Sequence, residues 1–459
     1  MPEETPPLTT RRFGWGLAAA AALALVLRLA YALLIARDMP AQGDTVLYHL
    51  LANTIADGHG YSQPLSGLTG HFEPTSAYPP LYPLFLSFFS LLGFDGLTDH
   101  RAISCVLGTT AVVLIGLLGR RIGGPRVGLL AAGIAAIYPQ LVMVDGTVVT
   151  ESLYAPVIAL ALLLAYRLID RTTGGTILRA ALLGAVIGIA TLTRSEGALL
   201  YALLVVPACW MATRGTAEAK APPRERAWPT VKLALIAGVA MALVLTPWVI
   251  RNYVVQDRVV VLTSNSGLTF AATNCDQTYD GQYTGFAVHQ CAFESPCMTI
   301  ADEIDQADCL RDQAFDYVAS RPGRAVVVAG VRVLRLWELY GYDDGIDYGA
   351  VYWGRDVTVA KLGLAMYVLL LLLAVPGLVA QRRRRVPIWP LLSLAVLVSI
   401  SAVLSFGFSR YRLAAEIPLT VLAAAGLDLL VAAWQRRRHD AHADAGPEPD
   451  GPRLPVAPR

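Results

Sequence analysis

The side chains of this chain with the most to offer chemically are acidic and basic groups at the ends of long apolar runs. Asp44 opens the stretch DTVLYHLLANT, and Glu151 stands in VVTESLY. Arg194 follows in TLTRSEG, while Arg410 and Arg412 flank Tyr411 in SFGFSRYRLAAEIP. A carboxylate beside an apolar surface has few water partners and a tunable pKa, which suits a general base. Guanidinium forks neutralise phosphate. Together these types suit a reaction on a lipid-borne phosphate, with arginines on the phosphate and a carboxylate activating a hydroxyl. A transporter for an anionic solute would use similar charges. Each residue also has a plainer use: Asp44 as a helix N-cap, Glu151 as a carboxylate favoured at a helix start, Arg194 in a local ion pair with Glu196, and Arg410 and Arg412 as lipid headgroup anchors.

The elements that must position these groups are set by composition. With 55% hydrophobic and 16% charged residues and a mean hydropathy of +0.50, the chain belongs in a bilayer. The fold class expected is all-α and polytopic. Apolar runs near 13–35, 102–118, 127–143, 151–168, 177–193, 197–212, 233–250, 357–379, 387–406 and 413–433 read as ten spans. The first exceeds a cleaved signal peptide's apolar core, so it is kept as a span. The run at 78–92 is shorter and begins at Pro79, Pro80 and Pro83, which fits a helix lying at the interface. Arginine-rich short loops, such as Arg120, Arg121 and Arg126, or Arg382 to Arg385, all fall on one side of this alternation. The positive-inside rule makes that side cytoplasmic and puts both termini there, in a multi-pass plasma-membrane protein. Asp44, His71, Glu73, Arg101, Asp145, Glu151, Arg194, Glu196, Arg251, Arg410 and Arg412 then share the outer face. Arg28, within the first span, has no obvious partner. Residues 434–459 read as a disordered cytoplasmic tail.

The long polar segment 251–355 carries Cys275, Cys291, Cys297 and Cys309. Four cysteines in one external segment read as two disulfides of open pairing. A metal site is the alternative, with only His289 nearby to support it.

The order of motifs carries a resemblance. Gly43-Asp44 with Tyr48, then GHGYS and AYPPLYPLFL, resembles the first external loop of the GT-C membrane glycosyltransferases, the protein O-mannosyltransferase and aminoarabinose-transferase relatives. TESLY, TLTRSEG, TPWVIRNY and SRYRL are similar to later motifs of the same bacterial group, and the match runs from about 13 to 433 without the cysteine loop. The resemblance implies one domain over 1–433, with its first external loop at 37–99 and its long external loop at 251–355. It implies inverting transfer of a sugar, hexosyl or pentosyl, from a polyprenyl-phosphate donor to an acceptor hydroxyl outside the membrane. Asp44 would be the base and Glu151 a second acid at the cavity. Arg194, Arg410 and Arg412 would hold the carrier phosphate, with Tyr411 against lipid or sugar, and Tyr48, His71, Glu73 and Tyr78 would line the cavity. Thr45 follows Asp44 where eukaryotic protein mannosyltransferases carry an Asp-Glu pair. Glycan, lipid and protein acceptors therefore all stay open. No cofactor is assigned, and assistance by a divalent cation is left open. The SNSGLTF stretch after Thr263 either reaches back over the site or is an ordinary turn. The rival class, a transporter or flippase, would show internal repeats and midplane charge, which this sequence does not. Nucleic-acid binding has no support, because the arginine runs lack interleaved aromatics.

Overall fold

In a computed structural model the described residues are 10–39, 41–170, 174–214 and 223–444, with side chains described outside 223–226 and 439–444. Among them the chain is almost wholly helical, and its one β pairing is the bridge between Ser62 and Pro74. Eight helices are long and apolar enough to cross a membrane, from Thr10–Asp38 to Ser409–Arg438. A ninth span is made by Pro125–Ile137 and Pro139–Asp145, bent by 59° where Pro139 withholds its amide from the helix ladder. The tenth expected span is Trp389–Leu404, which at 16 residues is shorter than its neighbours. The chain is a multi-pass membrane protein. The last helix continues to Asp444, through the first part of the segment expected to be a disordered tail, and 445–459 lie outside the described residues. Arg171 and Lys220 of the basic loops also lie outside them.

Packing between spans uses small residues. A Cβ on Gly377 would stand 1.9 Å from the Leu422 carbonyl, and one on Gly426 would stand 1.9 Å from that of Leu373. The helices Val357–Arg383 and Leu413–Asp444 therefore touch backbone to backbone. Arg28, unassigned from sequence, is 1% exposed and donates from Nε to Asp145 Oδ2 at 2.7 Å. Its Nη atoms donate to the carbonyls of Ala135 and Ala136, each at 3.2 Å, where the bend exposes them. Gly108 lets the Asp145 carboxylate lie against its helix, since a Cβ there would come within 1.8 Å of Oδ2. Replacing Arg28 alone by Met is expected to cost roughly 3–5 kcal/mol by stranding a buried carboxylate. Arg28→Met with Asp145→Leu should recover much of that loss in thermal unfolding.

Outside the spans, two layers cover the helix ends. The first loop supplies Asp44–Thr54 and the apolar Leu81–Ser90, whose Leu84 and Phe88 stay exposed as an interfacial helix requires. The long loop folds into helices, chiefly Glu303–Ser320, Pro322–Leu336 and Tyr342–Trp353. Disulfides join Cys275 to Cys291 and Cys297 to Cys309, the sequential pairing among those left open. Glu303 fastens the layers together. Its carboxylate accepts from Thr75 Oγ1 at 2.6 Å, the Ser76 amide at 2.9 Å and Gln63 Nε2 at 2.9 Å, and also from Ser264. The SNSGLTF stretch meets the first loop, with the Ser264 amide donating to the Ser76 carbonyl at 3.0 Å. Arg251, of TPWVIRNY, supports the same loop by donating to the Tyr61 carbonyl at 2.7 Å.

Candidate active site

The helix Asp44–Thr54 starts where it does because Gly43 adopts φ +54, a left-handed conformation open to glycine. A Cβ on Gly43 would also meet the Trp353 ring at 3.1 Å and the Tyr352 carbonyl at 3.2 Å. Asp44 therefore enters the first turn without capping it. Its carboxylate turns to Arg410, whose Nη2 donates to Asp44 Oδ2 at 2.7 Å. The same guanidinium grips Glu151, with Nε to Oε1 at 2.6 Å and Nη2 to Oε2 at 2.8 Å. Arg194 meets Glu151 Oε1 from the other side, Nη1 at 2.7 Å, and pairs through Nε with Glu196. Arg194 Nη1 also donates to Thr150 Oγ1 at 3.1 Å. The local Arg194–Glu196 pair and the long-range assembly thus coexist.

Residues 366 and 259 positions apart in the chain converge on one guanidinium. Arg410 and Glu151 side chains are each 2% exposed, whereas Asp44 is 24% exposed, so of the two carboxylates on Arg410 it is the more accessible. Tyr411 lies with its ring centre 4.8 Å from the Arg194 guanidinium and 5.6 Å from that of Arg410. Tyr48 is buried next to Asp44 and packs edge-on against Tyr78 and Tyr82, with ring centres 5.9 and 5.6 Å away. Burial pushes its phenol up, and the neighbouring Asp44 adds to this. Tyr82 is fixed in turn by a 2.8 Å hydrogen bond to Ser104.

Three sequence expectations are corrected. Arg412 does not join the cluster. Its Nε and Nη2 reach Glu416 and Glu338 at 2.5 and 2.9 Å, its Nη1 donates to the Leu336 carbonyl at 2.9 Å, and Tyr367 lies 3.5 Å beneath it. Its neighbour of the opposite sign, Glu416, also accepts from the Tyr138 hydroxyl at 2.9 Å. Arg412→Gln should therefore lower thermal stability and leave the donor affinity of the folded fraction unchanged. His71 and Glu73 are exposed near the Ser62–Pro74 bridge and line no wall of the site.

Sequence reading missed three neighbours. Trp353 carries Arg410 on its ring face, 4.3 Å from the centroid. Arg355 is buried and lies 5.1 Å from the Phe408 ring centre. Burial pushes its guanidinium down to about 10, and the Arg410 cation adds to the effect. His289 is held low by burial, with Asp44 opposing. The available signal for Arg355 was an arginine at the end of a span on the side expected to be outer, against the positive-inside bias.

Among the described residues no three His, Cys, Asp or Glu side chains converge as ligands, and the facing oxygens of Asp44 and Glu151 already accept from a cation, Arg410.

Residues 77–250 match the model of the family described as dolichyl-phosphate-mannose-protein mannosyltransferase. No curated protein matches by sequence. By structure the chain is similar to the oligosaccharyltransferase AglB from Archaeoglobus fulgidus, described in complex with an inhibitory peptide and a dolichol-phosphate. The TM-score is 0.52 at 14% identity, over 98% of this chain and 53% of AglB. The apo form of the Archaeoglobus fulgidus oligosaccharyltransferase gives a TM-score of 0.54 at 15% identity, over 95% and 52% of the two chains. ArnT from Cupriavidus metallidurans, bound to undecaprenyl phosphate, gives 0.42 at 15% identity, over 90% and 78%. The chain spans about half the length of the AglB chain. Its fold is that of the GT-C membrane glycosyltransferases.

Proposed function

We propose that this protein is an inverting glycosyltransferase that moves a hexosyl or pentosyl unit from a polyprenyl-phosphate carrier to an acceptor hydroxyl at the extracytoplasmic face. The observation that carries the reading is the bridge of Arg410 between Asp44 and Glu151, with Asp44 the more accessible of the two carboxylates. The fold and the family match over 77–250 support it.

Asp44 Oδ2 is held by Arg410, which leaves Oδ1 to take the proton of an incoming hydroxyl. In one displacement the acceptor O–H gives its proton to Asp44, the oxygen bonds to the anomeric carbon, and the carbon–oxygen bond to phosphate breaks. Its electron pair leaves on the polyprenyl phosphate, a weak base that needs no separate acid. Glu151 touches no reacting atom in this scheme. It positions Arg410 and Arg194 and neutralises them inside the protein. The acceptor is a glycan, lipid or protein hydroxyl, and the family match to a mannosyltransferase model makes mannose the first sugar to test.

The test is purified full-length protein supplied with a panel of polyprenyl-phosphate sugars and acceptors. Acceptor-dependent release of polyprenyl phosphate is expected. Movement of intact donor across vesicles without release would instead identify the transporter that the same charges could serve.

A further inference from the structure

The helix Pro322–Leu336 belongs to the long polar loop, yet its two sides are the reverse of those of a helix in water. Val326, Val327 and Leu334 are 74%, 50% and 42% exposed, and no atom lies within 4 Å of a Cβ built on Gly330 between them. These positions recur at helical spacing, so they form one apolar stripe open to the surroundings. The two charged side chains beyond the first turn, Arg332 and Arg335, are buried on the other side. Arg335 donates from Nε to the Thr284 carbonyl at 2.7 Å, and Arg332 from Nη1 to the Val403 carbonyl at 3.1 Å. Water favours the opposite arrangement. A bilayer favours this one, with ionisable groups turned into the protein and apolar groups outward. The arginines at 324, 332 and 335 hide the stripe in the sequence, because they make the segment read as polar.

The helix also stands beside a span that is too short. Trp389–Leu404 has 16 residues, a rise of about 24 Å against a hydrocarbon core of roughly 30 Å. Arg332 meets the C-terminal end of that span at Val403, and Trp337 Nε1 donates to Ser399 Oγ at 3.0 Å one turn earlier. Residues 332–337 therefore run alongside 403–399 in the opposite direction, and the earlier turns of Pro322–Leu336 carry on past Leu404. Contact stays close at Gly407, where a Cβ would come within 2.1 Å of the Arg332 carbonyl. Val403 and Leu404 are themselves exposed, so the lipid-facing surface of the span passes into the stripe. At the far end Arg321 and Arg324 pair with Asp276 and Asp280 of the external layer.

We infer that Pro322–Leu336, although part of the external loop, is seated in the leaflet nearest that loop, with Val326, Val327, Gly330 and Leu334 against acyl chains. The partner of the stripe is the lipid surface itself. Arg321 and Arg324 mark the headgroup level, where long basic side chains are at home. The helix supplies the length that Trp389–Leu404 lacks and ties the disulfide-bearing layer to the bilayer. This seating does not depend on which reaction the protein performs.

The experiment is spin-label accessibility on the full-length protein in phosphatidylglycerol and phosphatidylethanolamine nanodiscs, using Val326→Cys, Val327→Cys and Leu334→Cys one at a time. The chain's own free thiols, Cys105 and Cys209, are buried. Oxygen concentrates among acyl chains and a neutral nickel chelate stays in water, so the ratio of their collision rates reads the medium around each label. Leu372→Cys, on an exposed position of the span Val357–Arg383, gives the lipid value, and Asp312→Cys, exposed on Glu303–Ser320, gives the water value. Labels at 327 and 334 are expected to match the lipid value, with the label at 326, nearer the headgroups, between the two. Should one variant fail to fold by thermal unfolding, the remaining two decide. Ratios equal to that of Asp312→Cys overturn the seating. Low collision with both reagents, with broadening between labels, overturns it in favour of a second copy of the chain packed on the stripe.

Discussion

Asp44→Asn is expected to cut transfer by about 10²–10⁴-fold while leaving the donor bound. Asparagine keeps the length and shape of the side chain, and its amide oxygen can still accept from Arg410 Nη2, which now meets Asp44 at 2.7 Å. What it loses is the capacity to take the acceptor's proton. General-base catalysis is worth typically 10²–10⁴-fold, so turnover should fall by about that factor with the apparent donor affinity held. Release of polyprenyl phosphate, measured against donor concentration, separates the two. A fall in affinity at unchanged turnover would show that Asp44 merely shapes the donor site.

The second large effect is expected at Glu151, and it is one of stability before chemistry. Its two oxygens face Arg410 at 2.6 and 2.8 Å and Arg194 at 2.7 Å, with the side chain 2% exposed. Glu151→Ala strands two guanidiniums in a low-dielectric interior, and removing one partner of a buried pair costs roughly 3–5 kcal/mol. Thermal unfolding should show that loss. Glu151→Gln keeps one acceptor oxygen and so should melt between wild type and Glu151→Ala. Its activity should fall further than its stability, because Arg410 then loses the carboxylate that sets its angle toward Asp44. Equal stability of Glu151→Ala and wild type would mean that the arginines find other partners.

The spans were legible because a bilayer imposes a long apolar run on each crossing, and short basic loops punctuate those runs. Asp44 and Glu151 were legible as ionisable groups at the ends of such runs, where burial is expensive. Arg412 was misread because local geometry, not composition, decides it. Ser409–Arg412 is a 3₁₀ turn with three residues per turn, so side chains two positions apart point to different sides. Arg410 turns to Asp44 and Arg412 to Glu416. Arg28 had no assignable role because Asp145 lies 117 positions away and meets it through the bent span. The disulfide pairing was beyond reach for the same reason: four cysteines allow three pairings, and the folding of the loop selects one. His71 and Glu73 share the polarity of a cavity wall but sit on an exposed loop, and polarity alone does not separate the two.

The centre of the account is a single displacement at the sugar, with a carboxylate on the acceptor side and a phosphate leaving on the other. The anomeric configuration of the transferred sugar, read by NMR on product made by the purified protein, tests this most directly. The account predicts inversion relative to the donor, with one polyprenyl phosphate released for each sugar transferred. Retention of configuration would contradict it, because retention requires a second displacement through a glycosyl intermediate that this site is not built to form.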